Sequence, residues 1–137
     1  MSYAHSLALQ SAIYSALGTD PAVTAIVGDA IFDAMPAGEV PPIYVLLGAE
    51  EVTDASDQTG EGSWHHVALH VVTSEQGFAP AKRVAAAAYL ALNNAPLALD
   101  AGHLVGLHFR KARARRHPDG VHREIVVTFR ARISDSN

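Results

Sequence analysis

The feature that most restricts the fold is a pair of strand-like segments near the C-terminal end, joined through Asp119-Gly120. Between Arg123 and Ile133, the residues Ile125, Val127, Phe129, Ala131 and Ile133 fall on one side of a period of two. Glu124, Thr128, Arg130 and Arg132 fall on the other, the pattern of a strand with one buried face. Leu104–Arg116 precedes it as a second strand, and the Asp-Gly pair inside HPDGVH is a tight-turn signal. A long β-hairpin is predicted, with Val127 and Phe129 pointing into a core. An isolated hairpin is marginal in water, so the remaining chain must supply more strands and a cover.

It does both. Leu9, Ala12, Ile13, Ala16 and Leu17 recur at helical spacing, with Gly18 as a stop. Asp20-Pro21 then opens a short helix that runs through Val27 and ends at Gly28. Residues 78–93 form a further helix, with Pro80 in its first turn and small Ala85–Ala88 for close packing. Strands are predicted at Ile31–Ala34, at Ile43–Leu47 and at His65–Thr73, where Val67, Leu69 and Val71 alternate against His66, Ala68 and His70. The order ααβββαββ specifies an α+β fold: a single domain over residues 1–137, its mainly antiparallel sheet covered on one face by helices. The acidic, glycine-containing stretch 50–62 is predicted to be a long hairpin connection or an exposed mobile arm.

Charge is segregated along the chain. Ten of the fourteen carboxylates lie before Lys82, and all ten Lys and Arg lie from Lys82 onward. The two parts carry about −10 and +6, which suits a head-to-tail contact between copies unless the fold interleaves them. No apolar run approaches the ~20 residues of a membrane-spanning helix, so no membrane partner is expected. The N-terminal stretch lacks a basic region and is periodic, which argues against a signal peptide. The chain has no cysteine, which excludes disulfides and thiolate metal sites and fits synthesis in a reducing cytoplasm.

Residues for chemistry are sparse. The sequence has no G-x-S-x-G, no H-E-x-x-H and no P-loop, so no catalytic residue and no cofactor is assigned. His66 and His70 share a strand face, but four residues of strand span roughly 13 Å, too far for one zinc ion. His103, His108, His117 and His122 remain open as a distant set. Asp54 with Asp57, or Glu50 with Glu51, reads as a solvated acidic loop rather than an acid–base pair, which needs rigid placement. The basic run FRKARARRH, residues 109–117, is the strongest local charge feature. On a regular strand Lys111, Arg113 and Arg115 share a face with Phe109, while Arg110 and Arg116 take the other. Charges on both faces imply that this end projects from the core. It could contact phosphates as a nucleic-acid-binding module, dock on an acidic protein surface, or simply be solvated.

The ordered landmarks LQSAIYSAL (9–17), DPAVTAIVG (20–28), IFDAMP (31–36), PIYVLLG (42–48) and DASDQTGEG (54–62) continue with HVALHVVT (66–73), AKRVAAA (81–87), LVGLHF (104–109), RARRHPDG (113–120) and VTFRAR (127–132). Together they resemble the tail-terminator, or tail-completion, proteins of phage tails, and above all those of gene transfer agents. The resemblance covers roughly residues 7–133; Thr73-Ser74 departs from the usual pattern. It implies a non-enzymatic ring, commonly a hexamer, that caps the head-proximal end of the tail tube and meets the head-side stopper or connector. Expected partners are further copies of the chain, the tube protein, the connector and DNA passing through the lumen. The expected setting is the bacterial cytoplasm during assembly and then the neck of a phage-like particle. Interface residues expected on this basis are Glu50, Glu51, Asp54, Asp57 and Glu61 on the acidic side and Lys111, Arg113, Arg115 and Arg116 on the basic side. The acidic stretch is expected to become fixed only on docking.

Overall fold

The computed structural model describes residues 2–56 and 60–135. A single 3-10 turn at Ser2–His5 leads into α1 (Ser6–Thr19), followed by α2 (Pro21–Val27), β1 (Ile31–Phe32), β2 (Ile43–Asp54) and β3 (Gly62–Thr73). Then come α3 (Ala79–Leu92), β4 (His103–Arg116) and β5 (Arg123–Ser134). The sheet order is β1-β2-β3-β5-β4, with β1 parallel to β2 and every other pair antiparallel. The α+β class, the helix and strand order and the C-terminal hairpin match the reading of the sequence.

Local chemistry explains the helix ends. The Asp20 carboxylate accepts a hydrogen bond from Val23 N at 3.0 Å and opens α2, while Asp20 N donates to Leu17 O and closes α1. A cap of this kind contributes about 1 kcal/mol. Pro21 fills the first helical position, and Gly28, at φ +61°, ends α2 in the left-handed region. Gly18 does not stop α1, which runs on to Thr19. The Thr19 hydroxyl bonds back to Ser15 O, and the break comes only where Pro21 and the Asp20 cap impose it.

The core lies between the helices and one sheet face. Leu9, Ile13 and Leu17 of α1 and Ala81, Val84, Ala88 and Leu92 of α3 pack with Leu69, Val71, Val127, Phe129 and Ile133. Phe129 is fully buried, and edge-on ring contacts run from it to Phe109 and from Phe109 to Tyr89 of α3. The small alanines of α3 let its backbone approach the sheet. Asn93 and Asn94, just past α3, fasten β4: Phe109 N donates to Asn93 Oδ1 at 2.9 Å, and Asn94 N donates to Leu107 O at 2.8 Å.

Two expectations are corrected by the register. The segment 50–54 is not a mobile arm: β2 continues to Asp54, pairing Glu50 with Val67, Glu51 with His66 and Asp54 with Ser63. Gly48 and Ala49 form a bulge between the Leu47–Leu69 and Glu50–Val67 pairs, and the ladder resumes past it. Backbone pairing carries this polar end of the strand, which apolar periodicity could not reveal. In β4, Val105 and Arg110 are extra residues in the ladder. The bulge at Arg110 resets the alternation, so Phe109 opposes Phe129 on the covered face while Lys111 opposes Thr128 on the other. Lys111, Arg113 and Arg115 therefore do not share a face with Phe109.

Candidate functional site

The first place to look for chemistry is the covered face, where Ser63 and His65 lie side by side on β3. Ser63 Oγ is 2.7 Å from His65 Nε2, and both residues are at 0% exposure. Burial pushes the His65 pKa down, only partly opposed by the charge of Glu50. A serine–histidine pair sealed from solvent cannot meet a substrate, and its residues serve as a polar part of the packing. Around it, the Glu50 carboxylate accepts hydrogen bonds from Tyr3 Oη and Ser6 Oγ, and His5 Nε2 lies 2.9 Å from Asp135 Oδ1. These contacts tie the N-terminal turn to the sheet. No group of three His, Asp or Glu side chains placed to hold a metal occurs among the described residues.

The opposite face is electrostatically different. Along β5 it carries Glu124, Val126, Thr128, Arg130 and Arg132, opposed on β4 by Arg115, Arg113, Lys111, His108 and Gly106. On β3 the partners are Val72, His70, Ala68, His66 and Trp64. Glu124, at 3% exposure, is held from both sides: Arg115 Nε at 2.9 Å and His70 Nδ1 at 2.8 Å. Burial works to raise its pKa, but the hydrogen bonds from His70 and Arg115 outweigh it and hold the carboxyl below the usual range. Gly48 permits this arrangement, because a Cβ there would lie 2.3 Å from the His70 ring. At the hairpin turn, the backbone N–H groups of His122 and Val121 hold the Asp119 carboxyl well below its ordinary range.

The predicted interface residues divide into two groups. Glu51, Asp54 and Glu61 are exposed at the far end of the β2–β3 hairpin, and Asp57 lies outside the described residues. Glu50 turns to the covered face, where Tyr3 and Ser6 use its carboxylate within the subunit. Lys111, Arg113 and Arg116 are exposed on β4, whereas Arg115 is engaged with Glu124. At their ends the two sets stay apart, although Glu51 and Lys111 line one hollow on the open face. Asp54 shares a row with Ser63, Ile133 and Leu104, while Arg116 shares a row with Arg123, Thr73 and Ile43. Acid and base thus occupy diagonally opposite corners of one sheet. Both corners lie along open edges: β1 pairs with β2 only at Val45 and Leu46, and every residue of β4 from His108 to Arg116 is exposed.

The residues of this face not singled out from the sequence are Trp64, Arg130 and Arg132, while His66 and His108 were considered there only as metal ligands. The guanidinium of Arg130 lies 4.2 Å from the centre of the Trp64 ring, and that of Arg132 lies 5.4 Å from it. The alternation of Arg130 and Arg132 was legible; their shared stack on Trp64 was not, because β3 begins at Gly62, earlier than the apolar pattern indicates.

With this geometry in view, comparison with known proteins is informative. Residues 11–134 match the family described as tail completion protein gp17. No curated protein sequence matches the chain. A chain in the solved structure of the virion of a native gene transfer agent particle is 47% identical, with a TM-score of 0.92, over 97% of this chain and 99% of that one. The chain belongs to the tail completion protein gp17 family, and it is a structural subunit of a phage-like tail assembly.

Proposed function

We propose that the chain closes into a ring, of six copies by the family resemblance, at the head-proximal end of a tail tube. There it ends tube growth and presents a second surface to the head-side connector, around a lumen through which DNA passes. The subunit is made in the bacterial cytoplasm and becomes part of the neck of a phage-like particle. The observation that carries this reading is the diagonal placement of opposite charge on two open edges of one sheet. A closed cyclic assembly needs two different, complementary patches on each subunit, and these edges supply them. Exposed ion pairs contribute only ~0–1 kcal/mol each, so they set register and partner choice while apolar contacts hold the ring. Exposed Leu90, Val105 and Tyr89, near the β4 side, and Leu7 and Tyr14 on α1 are available for that second task.

The test is a combined Lys111→Glu, Arg113→Glu and Arg116→Glu variant, which leaves the Arg115–Glu124 pair intact. Light scattering of the protein with tube protein should give smaller complexes than wild type, while the thermal midpoint of the isolated subunit stays close to wild type. Complexes of unchanged mass would overturn the assignment of this edge. Wild-type protein that stays monomeric with its tube present would overturn the ring itself.

A further inference from the structure

We infer that the sheet face centred on Arg130, Trp64 and Arg132 is a contact surface for the phosphate backbone of duplex DNA, independent of base sequence. Its setting rests on the ring reading above, but its chemistry does not. The face holds Lys111, Arg113, Arg130 and Arg132, with Arg110 beside Lys111 in a shallow hollow also lined by His66, Thr128 and Glu51. Opposing them are Glu51 and Glu124, and Glu124 is already consumed by Arg115 and His70. A subunit of net charge −4 therefore carries a locally cationic surface.

The arginines are held in place. Trp64 is flanked by the guanidiniums of Arg130 and Arg132, and a cation over an indole face keeps its N–H edge free for anions. Gly62 makes room for this: a Cβ there would lie 2.6 Å from Arg132 Nη1, so the guanidinium occupies the space a side chain would take. Arg130 and Arg132 are two residues apart on one strand, ~7 Å, and Lys111 and Arg113 repeat that spacing on the next strand. Rows of cations at this interval suit a repeating polyanion better than a single carboxylate.

An acidic protein surface is the competing occupant, and the composition of the face argues against it. Protein interfaces centre on exposed apolar and aromatic anchors. The exposed large apolar residues of this chain lie on α1, α2, α3, the loops, the hairpin turn and β4, and none is on β3 or β5. Among the β3, β4 and β5 residues of this face the aromatic ring, Trp64, has arginine on it. No Asn or Gln lies among the β3, β4 and β5 residues of this face to pair with adenine edges, and its regularly spaced cations suit phosphates.

Fluorescence anisotropy with short labelled duplexes of two unrelated sequences tests the inference on the full chain. In the free subunit, where no neighbouring copy engages Lys111 and Arg113, both duplexes should bind alike, with log affinity falling against log salt at a slope on the order of −3 to −4, as about four phosphate contacts require. Arg130→Gln with Arg132→Gln should weaken binding on the order of tenfold or more and flatten the slope by about two. Trp64→Leu, which keeps both charges but removes their support, should weaken binding less. Arg83→Gln, an exposed cation on α3, should leave it unchanged. Circular dichroism of each variant separates lost binding from lost fold. Wild-type protein that fails to bind duplex, or binding that survives the Arg130/Arg132 change in a folded variant, overturns the inference. A double variant that keeps DNA binding but gives smaller assemblies by light scattering assigns the face to a subunit contact and overturns it too.

Discussion

The two faces of the sheet are built from the same four long strands, yet they obey different rules. On the helix-covered face, Phe129, Val127, Leu69 and Ile133 are fixed by volume, and Ser63 and His65 sit among them joined by one hydrogen bond, Ser63 Oγ to His65 Nε2. On the other face, Arg130, Lys111 and Arg113 are fixed by nothing beyond strand alternation and a few stacking partners. One face therefore specifies the fold, and the other is left free to specify what the fold meets. Substitutions on the first should be felt in stability, and substitutions on the second in assembly or binding.

The sharpest way to break that division is Phe129→Ala. Deleting a fully buried aromatic ring should cost ~3–5 kcal/mol, read as a lower urea midpoint, and an unshifted midpoint would put the covered face on the wrong side. Glu124 is a charged residue of that face that is buried as deeply as the core, beside Val72. Glu124→Gln, which weakens charge-assisted bonds to Arg115 and His70, should cost about 1–3 kcal/mol. Because the folded-state pKa of Glu124 lies below its unfolded value, its contribution is complete above the ordinary glutamate range. That contribution is lost as the pH falls through the folded value. A pH series of urea midpoints should show wild type converging on the variant in acid; parallel curves would remove Glu124 as the cause. The smallest effect is expected from Lys111→Gln, which should change stability by less than about 0.5 kcal/mol. A larger loss would mean that the exposed cations support the fold after all.

Much of this architecture was legible in the sequence, because period and punctuation coincide where apolar residues are dense. Asp20-Pro21 and Gly28 marked α2, and the Ile125–Ile133 alternation marked β5. Legibility failed where backbone pairing acts without apolar side chains. Glu50–Asp54 continues a strand through a bulge, although its composition is that of a loop. It failed again at Arg110, where one extra residue inverts the facing of every later position in β4. The residues expected at an interface were legible as charges, but not their surroundings: Glu50 and Arg115 are spent within the subunit, which only three-dimensional neighbours such as Ser6 and Glu124 reveal.

The diagonal placement of charge also gives the subunit a direction. Pairing two copies through β4 about a two-fold axis would set Lys111 and Arg113 against their own counterparts, and pairing through β2 would do the same for Glu51 and Asp54. Both symmetric dimers are penalised, and only succession in one sense is attractive. Under the ring reading, an unfinished arc always has one cationic end and one anionic end. Past the half circle each added copy brings those ends nearer, so the arc is drawn shut by its own termini.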